Sequence, residues 1–267
     1  MIKYLKILTY LIFAFLLVGC LENNKNNMND NVGHTNSRFD NQSDLENVKV
    51  DRFDELDEIY SLLSYSIVQK YWESDDLNGR GYNVGVVLVD ENQNVVDWDI
   101  NSVNVSKNST QHGEMRLISR YLDQENLYSL KGYTIFPTLE PCAMCAGMMV
   151  MTNIHRSVNG QMDYYYSKAL ERLSIDTEAC GGYPPYPRSV ISQISPSSIA
   201  MRLDQEYKKY IDRGNSPIIT KFLSTPAAKI IYDEAIHQFL NFKCKFPENK
   251  LKYENAIKFY NHLPESI

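Results

Sequence analysis

The chain has 267 residues, 43% of them hydrophobic and 22% charged, which is enough for one sizeable core plus an extension. Its formal net charge of −6 argues against a broad basic face for nonspecific nucleic-acid binding. That charge tilts the reading toward a small substrate without excluding a polymer.

Residues 1–19 read as a secretory signal: Lys3 and Lys6 form a positive start, and Leu8 to Val18 is an apolar run short for a bilayer span. Leu17-Val18-Gly19-Cys20 resembles the bacterial lipoprotein box. That resemblance implies cleavage before Cys20, lipidation of Cys20 and a lipid-anchored place in the bacterial cell envelope, outside the cytoplasm. An uncleaved anchor is the alternative, and it tethers the protein equally. Losing Lys3 and Lys6 takes the formal charge from −6 to −8. Residues 20–50 hold nine asparagines and almost nothing apolar, the composition of a disordered tether.

Apolar residues from Leu56 to Tyr71 recur at helical spacing and predict an amphipathic helix. Gly85 to Val89 and Val95 to Trp98, joined by a turn-like Asp90 to Asn94, predict a β-hairpin. A polar loop over Asn101 to Gln111 leads into a helix after Glu114. Tyr133 to Phe136 predicts a strand, Pro141 to about Met151 a helix that is apolar all round, His155 to Asn159 a strand and Tyr164 to Leu173 a helix. Gly181 to Pro196 carries two glycines and four prolines and predicts a loop. Ser197 to Asp212, Thr225 to Phe242 and Glu248 to His262 predict three more helices.

The chemistry concentrates at two places, His112-Gly113-Glu114 and Pro141-Cys142-Ala143-Met144-Cys145. A proline suits a helix start, where the positive dipole end favours thiolates that bind metal. His112, Cys142 and Cys145 make three ligands for Zn2+ and leave its fourth position to water, the arrangement of a catalytic rather than a structural site. Zinc brings the pKa of water toward neutrality, and Glu114 stands two residues from a ligand, placed to carry protons. A closed structural site would need a fourth Cys or His at suitable spacing, and none is found.

This H-x-E…P-C-x-x-C pattern resembles the cytidine/deoxycytidylate deaminase-like superfamily, closest to the tRNA adenosine, cytosine and guanine deaminase branch. The likeness runs from about Ile59 to Leu173 and includes Gly160-Gln161-Met162-Asp163, similar to that branch's Gly-x-x-Asp. It implies an α/β fold, a three-layer α/β/α sandwich with a mixed sheet, over residues 51–180; the helices predicted beyond it make a helical C-terminal extension, 181–267, that exceeds the compact family members. It also implies a substrate-binding role for Asn101, which follows the strand of Trp98 and precedes His112 by eleven residues. Members of this branch commonly form a homodimer, and the oligomeric state is left open.

Two residues depart from the family pattern. Gly113 stands where alanine is usual and costs about 1 kcal/mol of helix propensity. Pro137 removes a ladder donor, so its strand is expected to be bulged or edge-like. Cys180 and Cys244 are left to pair as a disulfide or to stay as two buried thiols.

The resulting expectation is a zinc-dependent hydrolytic deaminase of an amino-substituted nucleobase, nucleoside or related small amidine, releasing ammonia. The alternatives are a deaminase effector that modifies nucleic acid and a non-catalytic zinc-containing binding protein of the envelope.

Overall fold

Asp51 opens the first helix through a reciprocal cap. Its side chain accepts the N–H groups of Phe53 at 2.7 Å and Asp54 at 3.0 Å, and the Asp54 carboxylate accepts the Asp51 N–H at 3.1 Å. The structure, a computed structural model, describes residues 51–75 and 77–267. The signal segment 1–19, the tether 20–50 and the lipidation position Cys20 lie outside the described residues.

Helix α1 (Arg52–Lys70) is buried on nearly every side rather than along one stripe. Serines make this affordable for a polar backbone neighbour: Ser64 Oγ donates to the Phe136 carbonyl at 2.8 Å, and Ser66 Oγ donates back to Leu62 at 2.7 Å. The second cover comes from the C-terminal helices described below.

Strands β1 (Gly85–Val89) and β2 (Val95–Ile100) form the expected hairpin. Asp90 organises its turn by accepting the N–H groups of Asn92 and Asn94 at 2.9 and 2.8 Å. Helix α2 (Gly113–Glu125), strand β3 (Thr134–Pro137), helix α3 (Ala143–Met151), strand β4 (Arg156–Asn159) and the short helix α4 (Ala169–Leu173) follow. A fifth strand, β5 (Ile191–Ile194), lies parallel to β4, giving a mixed sheet in the order β2-β1-β3-β4-β5. The β1·β2 and β1·β3 pairs are antiparallel, and β3·β4 is parallel.

The strand period of two splits the core into two layers. Val87, Val89 and Phe136 face one cluster with α1, whereas Val86, Leu88 and Ile135 face another with Leu117 and Ile118 of α2 and Met149 and Val150 of α3. The first cluster also takes residues from α5 (Ser198–Asp212), α6 (Ile219–Phe222), α7 (Pro226–Leu240) and α8 (Lys250–Asn261). The fold is therefore the α/β sandwich expected, with a mixed sheet between helical layers. Among the described residues, 51–75, 77–173 and 187–267 form one compact unit.

Several local expectations are corrected. Pro137 is neither in an edge strand nor at a bulge: β3 is central, and Pro137 faces Val86 next to the pair in which the Thr138 N–H donates to the Gly85 carbonyl at 2.9 Å, a non-hydrogen-bonded position where a missing donor costs β1 nothing. The register shift lies instead between Leu88 and Val89 of β1. The loop expected over 181–196 contains β5, and Tyr164–Tyr166 is a turn rather than the start of a helix.

The segment Ser174–Tyr186 belongs to a second unit. Within it a 3-10 turn, Glu178–Cys180, is closed by Thr177, whose Oγ1 accepts the Tyr183 N–H at 2.8 Å. Cys244 is a free thiol, so the pairing of Cys180 with Cys244 is not formed. Cys244 is instead packed against the apolar cluster around α1.

Candidate active site

Two helix N-termini meet at this site, and the residue before each helix is a prospective ligand. His112 is the N-cap of α2 and Cys142 the N-cap of α3, and neither side chain caps its own helix. Both are thereby free to turn toward each other. Helix α3 starts at Ala143, two residues later than expected, so Pro141 precedes the cap and Cys145 occupies the third helical position.

Helix α2 is fastened to β2 by a charged network. Arg116 Nε bonds the Asp99 carboxylate at 2.9 Å, and Arg120 bonds Asp97 at 2.9 Å and also reaches Asp99. Single exposed pairs of this kind contribute little, but a shared network with largely buried carboxylates fixes orientation. Gly113 completes the approach: a Cβ there would lie 3.1 Å from Val86 Cγ1 and 3.3 Å from the Asp99 carbonyl oxygen. The departure from alanine thus accompanies a closer packing of α2 on the sheet.

Cys142 Sγ lies 3.7 Å from Cys145 Sγ and 3.7 Å from His112 Nδ1, and Cys145 Sγ lies 3.5 Å from His112 Nδ1. A tetrahedral zinc with Zn–S near 2.3 Å and Zn–N near 2.0 Å requires an S···S edge of about 3.8 Å and S···N edges of about 3.5 Å. The three donors fit that ion in number, softness and spacing. Among the described residues this is the one group of three such donors close enough to share a metal. Among the described residues no fourth side chain joins it, which leaves the fourth position open to water.

The local field favours a thiolate at Cys142 and disfavours one at Cys145, whose thiol is pushed up by its hydrogen bond with Cys142 and then by burial. The Cys142 thiol is lowered to about 4, first by the hydrogen bond from Cys145 and then, against the cost of burial, by His112. Glu114 is almost fully buried, at 3% exposure, and burial pushes its carboxyl above the usual range despite opposing hydrogen bonds and the charge of His112.

A cavity of about 610 Å³ opens over these residues, with His112, Glu114, Cys142 and Asn101 in its lining. Asn101 is buried at the end of β2, and its Oδ1 accepts the N–H groups of Tyr82 at 3.1 Å and Val103 at 3.3 Å. Two backbone donors on one atom settle which end of the carboxamide is oxygen. Its NH2 group is the other end of the carboxamide, in a residue that lines the cavity.

Asn101, His112, Glu114 and Cys142 thus line one cavity, and Cys145, itself buried, lies against Cys142 and His112. Sequence reasoning did not place the other walls: Glu140, Tyr165 and Tyr166, and the segment Pro217 to Thr220 before and within α6, stand there beside Asp163. The Gly-x-x-Asp pattern pointed to Asp163, but nothing in the local sequence marks Pro217 to Thr220.

Residues 63–161 match the family described as the cytidine and deoxycytidylate deaminase zinc-binding region. The tRNA-specific adenosine deaminase of Haemophilus influenzae is 37% identical over 81 residues, covering 30% of this chain and 47% of that protein. The tRNA-specific adenosine deaminase 2 of Xenopus laevis is 40% identical over 92 residues, covering 32% of this chain and 52% of that protein. The chain spans about half the length of these curated relatives. Among solved structures, a guanine deaminase from Nitrosomonas europaea is similar at 13% identity and a TM-score of 0.39, over 74% of this chain and 100% of that one. The match over residues 63–161 contains the His112, Cys142 and Cys145 group, and this part of the chain is similar to the cytidine and deoxycytidylate deaminase zinc-binding region.

Proposed function

We propose that the protein is a hydrolytic deaminase that replaces the amino group of a nucleobase, nucleoside or related small amidine by a carbonyl oxygen, consuming water and releasing ammonia. His112, Cys142 and Cys145 hold the metal, and zinc bound there supplies Lewis acidity and brings the pKa of water toward neutrality. Glu114 takes one proton of the attacking water on a carboxylate oxygen and passes it to a ring nitrogen, then takes the remaining proton from the added hydroxyl and gives it to the amine, whose C–N bond breaks as the carbonyl forms. Its burial favours this relay, since a raised carboxyl pKa narrows the gap to the groups it serves. The Asn101 NH2 group donates to an acceptor on the ring and so orients it. Backbone N–H groups at the starts of α2 and α3 favour negative charge developing at the reacting carbon's oxygen.

The observation that carries this reading is the juxtaposition of three donors at tetrahedral spacing with a buried carboxyl at the floor of one cavity. Glu114 also weighs against the reading as an inert zinc-containing binder, which has no use for a proton carrier. From the leader and Cys20 we further infer a lipid-anchored position in the bacterial cell envelope, where free bases and nucleosides are met more readily than the cell's own tRNA.

The test is ammonia release by the purified protein from adenine, guanine, cytosine, their nucleosides and single-stranded DNA and RNA, with zinc content measured in parallel. Glu114→Gln is expected to keep its zinc and lose several orders of magnitude in turnover. Wild-type turnover by that variant would remove Glu114 from the reaction.

A further inference from the structure

The inner end of the cavity is the metal site, and the outer end is built by residues beyond 161, outside the family match. Two segments form this mouth. In the first, Asp163 Oδ1 accepts the backbone N–H groups of Tyr165 and Tyr166, each at 3.1 Å, which fixes the turn and leaves both rings exposed at the rim. In the second, Ile219 is buried while Ile218 beside it stands 50% exposed. Tyr207 of α5, only 1% exposed, connects the two: its ring stacks on Tyr164 at 5.7 Å, and its hydroxyl donates to the Pro217 carbonyl. The spacing of the two sides is therefore set from the core.

The chemistry of this mouth is selective. Tyrosine faces and a branched aliphatic side chain grip a flat ring without regard to charge. Glu114, Glu140 and Asp163 line the cavity, and among its described lining residues none is lysine or arginine. Protonated or not, these groups offer a phosphate no cation, and ionised they repel it across a partly desolvated cleft. Nucleic-acid binding relies on cations for most of its affinity.

We propose that Tyr165, Tyr166 and Ile218 are specificity-determining residues of a mouth that admits an uncharged, flat, amine-bearing heterocycle, as free base or nucleoside, and turns away its phosphate esters and nucleic acid. For turnover this rests on the deaminase reading; for binding it does not.

The experiment is equilibrium titration of the zinc-loaded full chain with adenine, guanine and cytosine, their nucleosides, the 5′-monophosphates and a single-stranded RNA dodecamer, with ammonia release followed separately. A base or nucleoside is expected to bind at least about tenfold more tightly than its own monophosphate, and more tightly than the RNA. Ile218→Lys places a cation on the rim of an exposed position and is expected to shift the monophosphate-to-nucleoside affinity ratio about tenfold toward the monophosphate. Monophosphate or RNA binding as tight as the nucleoside, an unchanged ratio in Ile218→Lys, or no binding of any of these compounds overturns the proposal. Discriminating binding without ammonia release sinks the deaminase reading and leaves this mouth standing. Ammonia released preferentially from RNA keeps the deaminase and overturns the mouth.

Discussion

The guanidinium of Arg80 donates to the backbone carbonyl of Asn101. Arg80 also donates to the Tyr71 carbonyl at 3.1 Å, and its own carbonyl accepts the N–H groups of Asn104 and Val105, each at 3.1 Å. One buried side chain thus ties the loop after β2 to the end of α1 and holds the backbone from which the Asn101 carboxamide projects. Arg80→Met is expected to cost about 1–3 kcal/mol of stability, through carbonyls that lose a charged donor. It is also expected to raise KM more than it lowers kcat, because it loosens the position of Asn101 without touching Glu114. Arg80→Lys restores one donor and should recover part of the KM. Equal losses in KM and kcat with loss of zinc would instead mean that the whole site had collapsed.

Asn101 can be tested more sharply by aspartate than by alanine. Asn101→Asp keeps an oxygen for the N–H groups of Tyr82 and Val103 and replaces only the NH2 donor. The expected result is a fall in kcat/KM of roughly 10- to 100-fold, the worth of a donor to a buried polar acceptor, with zinc content unchanged. Unaltered kinetics would assign Asn101 to loop structure alone.

Gly160 marks the point where the chain leaves β4 beside the end of β3. A Cβ on it would collide with the Thr138 carbonyl oxygen and with the Tyr65 hydroxyl. The tyrosine side chain and the carbonyl are both enclosed in the core, so neither gives way cheaply. Gly160→Ala is expected to destabilise the protein by about 3 kcal/mol, the upper range for overpacking, and to lower Tm by roughly 6–12 °C for a unit of this size. Thermal unfolding with a change under about 2 °C would show that the strands separate more easily than their packing implies.

These residues also show why some features were legible in the chain and others were not. His112, Cys142 and Cys145 were legible because two helix starts, each marked locally, place them, and the chemistry demands those residue types at short spacing. Strand β5 was hidden because its pairing with Arg156–Asn159 is decided by the sheet, while the surrounding prolines and serines read locally as loop. The burial of α1 on all sides was hidden because half of its cover comes from α7 and α8, more than 150 residues away. The mouth was hidden for the same reason. Pro217 and Ile218 sit over the cavity through contacts with Tyr207, and no residue pattern near them announces it.

Removing the metal separates the role of the ligands from that of the fold. Sheet and helices share two apolar clusters built almost wholly from residues other than the ligands, so a chelated protein is expected to stay folded. It loses the contribution of a ligand bound only in the native state, which is about 4 kcal/mol when zinc is present at a thousand times its Kd. That corresponds to a fall in Tm of roughly 8–16 °C. Ammonia release should vanish on chelation and return with one equivalent of zinc per chain. His112→Ala should not recover under the same treatment, because two sulfurs at 3.7 Å supply only one edge of the tetrahedron. Full activity in a chelated, zinc-free sample would separate the reaction from the metal altogether, and the three donors would then need another purpose.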